Sequence, residues 1–429
     1  MAKTEKKKIG LTTRIFISLL LGAILGVFLH YCVLPNDAVQ NILVDGVFYV
    51  VGQGFLRLMQ MLVVPLVLCS LICGASAIGD TKTLGKVGVR TVVFYIITTA
   101  LAVAVALIVA RIINPGVGMD LNTLEVAETQ IATTQTSMVD TLLDIIPKNP
   151  IESLATGNML QIIVFAIIVG IILAKLGDKT QIVHNLFQQG NDIMMEMTMM
   201  VMSLAPIGVF CLIARTFSGM GFDAFQPLIK YMFAVMLALV IQCLGVYQIL
   251  LKVFTGLNPI RFIKKFLPVM GFAFSTATSN ATIPLSIDTL ERKMGVSRRI
   301  SSFTIPLGAT INMDGTSIMQ GVAVVFIAQA YGIALTPMDY LTVIATATLA
   351  SIGTAGVPSV GLVTLSMVLT SVSLPIEGIG FIMGIDRILD MSRTAVNITG
   401  DAVCTTIVAN QNQALDKEVF NKKEAELEA

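Results

Sequence analysis

The 429-residue chain is poor in charge. Asp, Glu, Lys and Arg together make up 13% of it, about half of what a soluble globular protein carries. Hydrophobic residues make up 55% and the mean hydropathy is +0.84, which indicates a polytopic membrane protein. A net charge of +1 leaves no basic surface for nucleic acid. The two histidines, His30 and His184, each lie near a segment end, which argues against a histidine zinc site or proton relay. Six cysteines (Cys32, Cys69, Cys73, Cys211, Cys243 and Cys404) are scattered, mostly through apolar runs, with no Cys-x-x-Cys. They read as small buried hydrophobes, not as disulfides or metal ligands.

Long apolar segments fill the first half. Those near 14–34, 43–78 and 87–113 predict three helices; the second is too long for a straight crossing and should tilt or kink. The lysine-rich start has no small-residue cleavage site behind it, so the first helix is expected to stay uncleaved with a cytoplasmic amino terminus. Lys82, Lys86 and Arg90 lie between the second and third segments. After Asn114-Pro115-Gly116, a polar stretch to about 150 holds Asp120, Glu125, Glu128, Asp140 and Asp144 against Lys148. The positive-inside rule places the basic loop in the cytoplasm and this stretch outside. Segments near 152–175, 184–217 and 225–256 follow. The methionine run from Met194 to Met202 fits helix packing better than copper binding. Beyond Ala409 the chain turns polar, as expected of a cytoplasmic tail of little consequence.

The second half departs from ordinary spans. Residues 266–290 are apolar but interrupted by Phe274-Ser275-Thr276-Ala277-Thr278-Ser279-Asn280-Ala281-Thr282-Ile283-Pro284, with Lys264 and Lys265 before and Arg292, Lys293, Arg298 and Arg299 after. A segment with the same side's charges at both ends predicts a re-entrant hairpin; two amphipathic surface helices are the alternative. Non-helical backbone at that depth is tolerated only where it lines a cavity or is buried in protein. In 300–331, Gly308-Ala309-Thr310-Ile311-Asn312-Met313-Asp314-Gly315 should unwind a helix mid-membrane, freeing carbonyl oxygens beside a carboxylate for a sodium-type cage. Residues 339–373 repeat the hairpin, with Gly353, Gly356, Pro358 and Gly361 at its centre. A polar helix over 376–411 closes the series. On it, Asp386, Asp390, Arg393, Asn397 and Asp401 are spaced four, three, four and four, all on one helical face. Ionisable groups at membrane depth face a bundle interior or a ligand path; a structural ion-pair network is the alternative. Interrupted segments in matching positions of two halves point to a midplane binding site in a secondary transporter.

These blocks resemble the dicarboxylate/amino acid:cation symporter family over roughly residues 12–410. Asn312-Met313-Asp314-Gly315-Thr316 is similar to its seventh-helix signature, Gly353-Thr354-Ala355-Gly356-Val357-Pro358 to its second hairpin tip, and Asp390-Met391-Ser392-Arg393-Thr394 with Asn397 and Asp401 to its eighth helix. The resemblance implies an all-α membrane protein of eight transmembrane helices and two re-entrant hairpins, built as inverted repeats. It also implies a homotrimer in the cell membrane that works as an elevator. Its scaffold would be 1–86 and 151–222; its transport domain would be 223–412 with the helix of 87–150, and 413–429 would be a polar tail. By the same resemblance, Arg393 would hold the substrate's side-chain carboxylate, helped by Thr316 and Gly361, with Met313 beside them. Asp390, Thr394 and the Val357 carbonyl would take the amino group, and Asn397 and Ser279 the α-carboxylate. One sodium would lie at Gly308, Asn312, Asn397 and Asp401, a second at Thr310, Ser351, Ile352 and Thr354, and a third at Tyr95, Thr98, Thr99, Asn312 and Asp314.

The implied function is sodium-coupled uptake of L-aspartate or L-glutamate, with sodium as the coupling ion and no other cofactor. Two departures stand out. Some relatives carry an arginine where this chain has Ala277, and Arg387 is a possible substitute for that charge. Some proton-coupled relatives carry a glutamate where it has Gln320. A C4-dicarboxylate symporter and a proton-coupled glutamate/aspartate symporter are the alternatives. A channel would want identical loops around an axis, whereas the two hairpin tips differ. A hydrolase is not expected, since Ser279 has no histidine near it in sequence and no Gly-x-Ser-x-Gly frame.

Overall fold

The computed structural model describes residues 11–33, 36–79, 85–119, 146–221, 225–352, 360–383 and 385–422. Among them the chain is helical with no sheet. The first part comprises α1 (Leu11–Phe28), α2 (Tyr49–Gly79), α3 (Gly85–Ile113), α4 (Pro150–Thr156), α5 (Met159–Leu176), α6 (Gln181–Ser203) and α7 (Ala205–Met220). The second comprises α8 (Phe225–Val240), α9 (Tyr247–Thr255), α10 (Pro259–Thr276), α11 (Ser279–Asp288), α12 (Arg298–Ile311), α13 (Asp314–Ala330), α14 (Pro337–Ser351), α15 (Val360–Ser371), α16 (Ile379–Met383), α17 (Asp386–Gln411) and α18 (Lys417–Asn421). A π-helical turn, Ile241–Val246, joins α8 to α9.

Local chemistry sets the boundaries. Asn158, Asn258 and Thr336 cap α5, α10 and α14 by accepting from first-turn amides. Proline opens α4, α10 and α14, where its missing N–H costs nothing. The 184–217 segment, expected as one helix, is two, because Pro206 starts a fresh first turn in α7. The 43–78 segment is a π-helical stretch, Gln40–Phe48, running into α2, which carries Pro65. The 376–411 segment likewise divides into α16 and α17.

In both hairpins the second arm is too short to cross. At 1.5 Å per residue, the 10 residues of α11 reach about 15 Å and the 12 of α15 about 18 Å, against a hydrocarbon core of about 30 Å. At the first tip Ala277 adopts a left-handed φ of 51° and closes α10; the second tip, 353–359, lies outside the described residues. Five helices among the described residues are long and apolar enough to span a bilayer, against eight expected. The 26-residue α17 is long enough, but its polar face lowers its hydropathy. Helices α1, α2, α5, α6 and α7 pack chiefly on one another, while α3 packs with α8, α13 and α14, and α17 with α10, α12, α13 and α9. The two groups touch where α15 and α14 meet α2 and α5, where α16 packs on α7, and where α3 meets α2. The centre of the second group is α13, buried over nearly its whole length. The chain after Ala409 is no loose tail as far as Asn421: Phe420 is fully buried.

Candidate substrate and cation site

Two polar clusters lie along α17, one turn apart. The first is built from its opening turns. Arg393 is 1% exposed, yet its guanidinium is well supplied: Nη1 donates to Asp386 Oδ1 and Nη2 to Asp390 Oδ1, each at 2.8 Å. Spacings of seven and three put all three on one face, and the arginine reaches back toward the helix start. A buried guanidinium is tolerable only with such pairing. Its Nε has no partner among the described residues. Thr394 donates its hydroxyl to the Asp390 carbonyl at 2.9 Å, the ordinary helix back-bond. Across the site, a methyl on Gly361 would stand 3.7 Å from Arg393 Nη2 and press on Thr316, so Gly361 borders the guanidinium and Thr316 borders Gly361. Ser279 is buried in the first turn of α11, which packs on α17; among the described residues it makes no direct bond to Asn397.

The second cluster forms where α12 and α13 part. Asn312 leaves the helix with φ −88° and ψ 102°, and Met313 follows at φ −122° and ψ 41°, so the mid-membrane unwinding expected there is present. Asn397 is held from that break: its Oδ1 accepts from the Gly315 N–H at 2.7 Å, and its Nδ2 faces Met313 Sδ at 3.4 Å. Asn312 Nδ2 donates to the Asn397 carbonyl at 3.0 Å and to Asp401 Oδ1 at 2.8 Å, leaving its own Oδ1 buried and unpartnered among the described residues. Only glycine fits at 308, since a methyl there would overlap Asp401 Oδ1 and the Tyr95 hydroxyl.

Asp314 is fully buried. Three uncharged donors converge on it: Thr99 Oγ1 at 2.6 Å, Tyr247 Oη at 2.7 Å and Gln242 Nε2 at 3.2 Å. Thr98 and Tyr95 sit on the same face of α3, but their hydroxyls donate elsewhere, to the Tyr95 and Thr304 carbonyls. Neither Asp314 nor Asp401 has a cationic partner among the described residues. The set Gly308, Asn312, Asn397, Asp401 is therefore assembled, and Thr99, Asn312 and Asp314 stand beside it. For the set Thr310, Ser351, Ile352 and Thr354, whose ligands would be backbone oxygens, the Thr310 and Ser351 hydroxyls return to their own helices. Thr354 and Val357 lie outside the described residues, as does the Arg387 side chain.

Three contributors carried no role in the sequence reading. Asp386 stood on the polar face without an assignment, and its partnership with Arg393 required the arginine's rotamer. Gln242 and Tyr247 come from α8–α9, and the readable signal was an amide inside an otherwise apolar span. Gln242 sits in the π-turn, a wide turn that often marks functional positions. Gln320 is buried and donates to Thr364 Oγ1 at 2.8 Å.

Residues 11–411 match the model of the sodium:dicarboxylate symporter family. The chain belongs to that family. It is similar to a proton/sodium-glutamate symport protein of Bacillus caldotenax, 38% identical over 98% of this chain and 99% of the relative. It is similar also to a proton/glutamate-aspartate symporter of Escherichia coli, 35% identical over 96% and 94%, and to excitatory amino acid transporter 3 of Mus musculus, 31% identical over 96% and 86%. Like its family, this symporter is an integral membrane transporter and not an enzyme.

Proposed function

We propose that this symporter carries an acidic amino acid, L-aspartate or L-glutamate, into the cell together with sodium. The observation that carries the reading is the contrast in how buried charge is compensated. Arg393 is neutralised by the protein's own Asp386 and Asp390. Asp314 and Asp401, equally buried, are met only by neutral dipoles. Burying a carboxylate without a counter-charge costs several kcal/mol, roughly, so two such groups beside freed carbonyls call for cations from outside.

Substrate enters by exchange. Its side-chain carboxylate takes Arg393 in place of a protein carboxylate, through the planar fork that suits bidentate pairing. The released Asp390 takes the substrate's amino group, with Thr394. Asn397 and the first turn of α11 around Ser279 receive the α-carboxylate. The incoming molecule thus exchanges for ion pairs already present, while its single net negative charge adds to that of the cluster and has to be met by the cations carried with it at membrane depth. Sodium at Asp401 and Asp314 holds the α12–α13 break in the form that presents Asn397. The names of the relatives, which speak of glutamate, aspartate, sodium and proton, support this substrate class. Protonation of Asp314 or Asp401 would also compensate their charge, so a proton-coupled cycle is the second reading.

The packing of α1, α2, α5, α6 and α7 apart from α3 and α8–α17 supports an elevator, in which the second group carries its cargo past the first. A homotrimer is part of the same proposal, supported by the family resemblance alone. The deciding measurement uses purified protein in liposomes. Uptake of labelled L-aspartate under an inward sodium gradient is compared with uptake under a pH gradient alone, with L-glutamate and malate as competitors. Sodium-dependent uptake blocked by L-glutamate is the expected result. Uptake driven by pH without sodium would overturn the cation assignment. Stronger competition by malate would move the substrate to dicarboxylates and take the amine from Asp390.

A further inference from the structure

Lys265 lies in α10, the first arm of the first hairpin, and is 3% exposed. Its ammonium donates to three backbone carbonyls: Lys293 at 2.6 Å, Phe420 at 2.9 Å and Val419 at 3.2 Å. An ammonium has three protons and no acceptor, so this cage matches its capacity. The carbonyls come from helix ends, where backbone oxygens lack an intrahelical partner: Lys293 closes the turn after α11, and Val419 and Phe420 belong to α18. The Phe420 ring adds a cation–π contact at 5.4 Å.

The rest of 410–421 follows the same course. Ser297 N–H donates to the Ala414 carbonyl at 2.9 Å and Asp416 N–H to the Gly295 carbonyl at 2.8 Å, framing an antiparallel bridge between Val296 and Leu415. Gly295, at φ +72°, lets the two strands of chain meet, since a methyl there would overlap the Asp416 carbonyl. Lys417 Nζ reaches the Thr255 carbonyl at the end of α9 at 3.0 Å, Asn410 reaches that of Phe254 at 3.1 Å, and Arg261 reaches Asn421 at 2.6 Å.

We propose that residues 410–421 are a strap that fastens both feet of the first hairpin to α17 and α9, so that Ser279 and the Arg393 face keep one fixed spacing. The strap acts on substrate binding through position, and Lys265 is a positioning residue. No such cross-link closes the feet of the second hairpin among the described residues, so the strap sets the two hairpins apart mechanically. Its transport consequence rests on the reading of α17 as the substrate-binding helix; its mechanical part does not.

The test uses the full chain in liposomes, with three variants: Lys265→Met, which keeps the apolar stem and removes the donors; Phe420→Ala; and the milder Lys417→Ala, which leaves the core intact. Backbone hydrogen exchange is followed across 259–300, with α2 and α5 as internal references. The expected result is exchange at least tenfold faster at the hairpin feet, Ser297 included, with the references unchanged, and a rise of about tenfold in the substrate concentration for half-maximal uptake in Lys265→Met. Unchanged exchange at the feet would overturn the strap. So would equal acceleration in α2 and α5, which is general loosening. Faster exchange at the feet with half-saturation within twofold would overturn its effect on binding. Should the wild type take up no acidic amino acid, the transport reading fails alone and the exchange data still decide the strap.

Discussion

The start and the middle of α17 handle buried charge in opposite ways. At its start, Asp386, Asp390 and Arg393 compensate one another within a span of eight residues. Toward its middle, Asp401 and the neighbouring Asp314 are held by two side-chain amides, a threonine hydroxyl and a tyrosine hydroxyl. The first cluster is complete without a ligand and must give something up to bind one. The second is incomplete and gains by binding. On the proposed reading coupling would follow from that difference: a cation would stabilise the second cluster without displacing anything, and the substrate would then exchange for ion pairs the protein already has. An effector shifts an equilibrium only by its differential affinity for the two states, and here the two ligands act on opposite defects of one helix.

Breaking the first cluster at its centre should have the largest effect. Arg393→Ala takes one cation away from Asp386 and Asp390 and removes the proposed partner of the substrate carboxylate. Losing one member of a buried charge pair costs about 3 kcal/mol, so uptake of labelled L-aspartate should fall by about 100-fold. Retained uptake would move the substrate carboxylate elsewhere.

Asp401→Asn removes the charge that the second cluster leaves uncompensated while keeping the Asn312 contact. The sodium concentration needed for half-maximal uptake should rise by about tenfold, equivalent to about 1.4 kcal/mol. An unchanged sodium dependence would place the cation away from α17.

Asp386→Asn sharpens the comparison from the other side. It removes one internal competitor for Arg393, so the substrate should bind tighter, by about fivefold in half-saturation, corresponding to roughly 1 kcal/mol. Weaker binding would make Asp386 a support for the bound arginine instead of a competitor for it.

The smallest effect is expected at Tyr247→Phe. Asp314 loses one of three donors, at a cost of about 1 kcal/mol, so the sodium-free protein should melt lower. Added sodium should then raise the melting temperature by about 2 °C more than in the wild type. A smaller sodium effect would make the tyrosine part of the cation-bound form.

Features encoded locally were legible in the sequence. The polar face from Asp386 to Asp401 needed only the helical period, and the unwinding at Asn312–Met313 followed from a cluster of helix-breaking residues. The first hairpin turned where Ala277 and Thr278 interrupt the apolar run, with basic residues at both feet. The break at Leu204–Ala205 had a signal in Pro206, but the apolar run on either side masked it. Gln242 and Tyr247 reach Asp314 from 72 and 67 residues away, and nothing local says which carboxylate a mid-span amide or phenol will meet. The strap left no mark either: Lys265 reads as an ordinary loop-side lysine and Phe420 as a lone aromatic in a polar stretch.

The sequence by itself determined that this is a helical membrane transporter with interrupted helices in its second half, and which residues of α17 share a face. Those properties follow from hydropathy, periodicity and backbone preference, which act over a few residues. Only the tertiary structure decided which of the buried charges satisfy one another and which are left to dipoles, and that residues 410–421 bond to the feet of the first hairpin. Those outcomes depend on contacts between residues far apart in the chain, and the cost of burying a charge is set by which partner the fold puts within 3 Å of it.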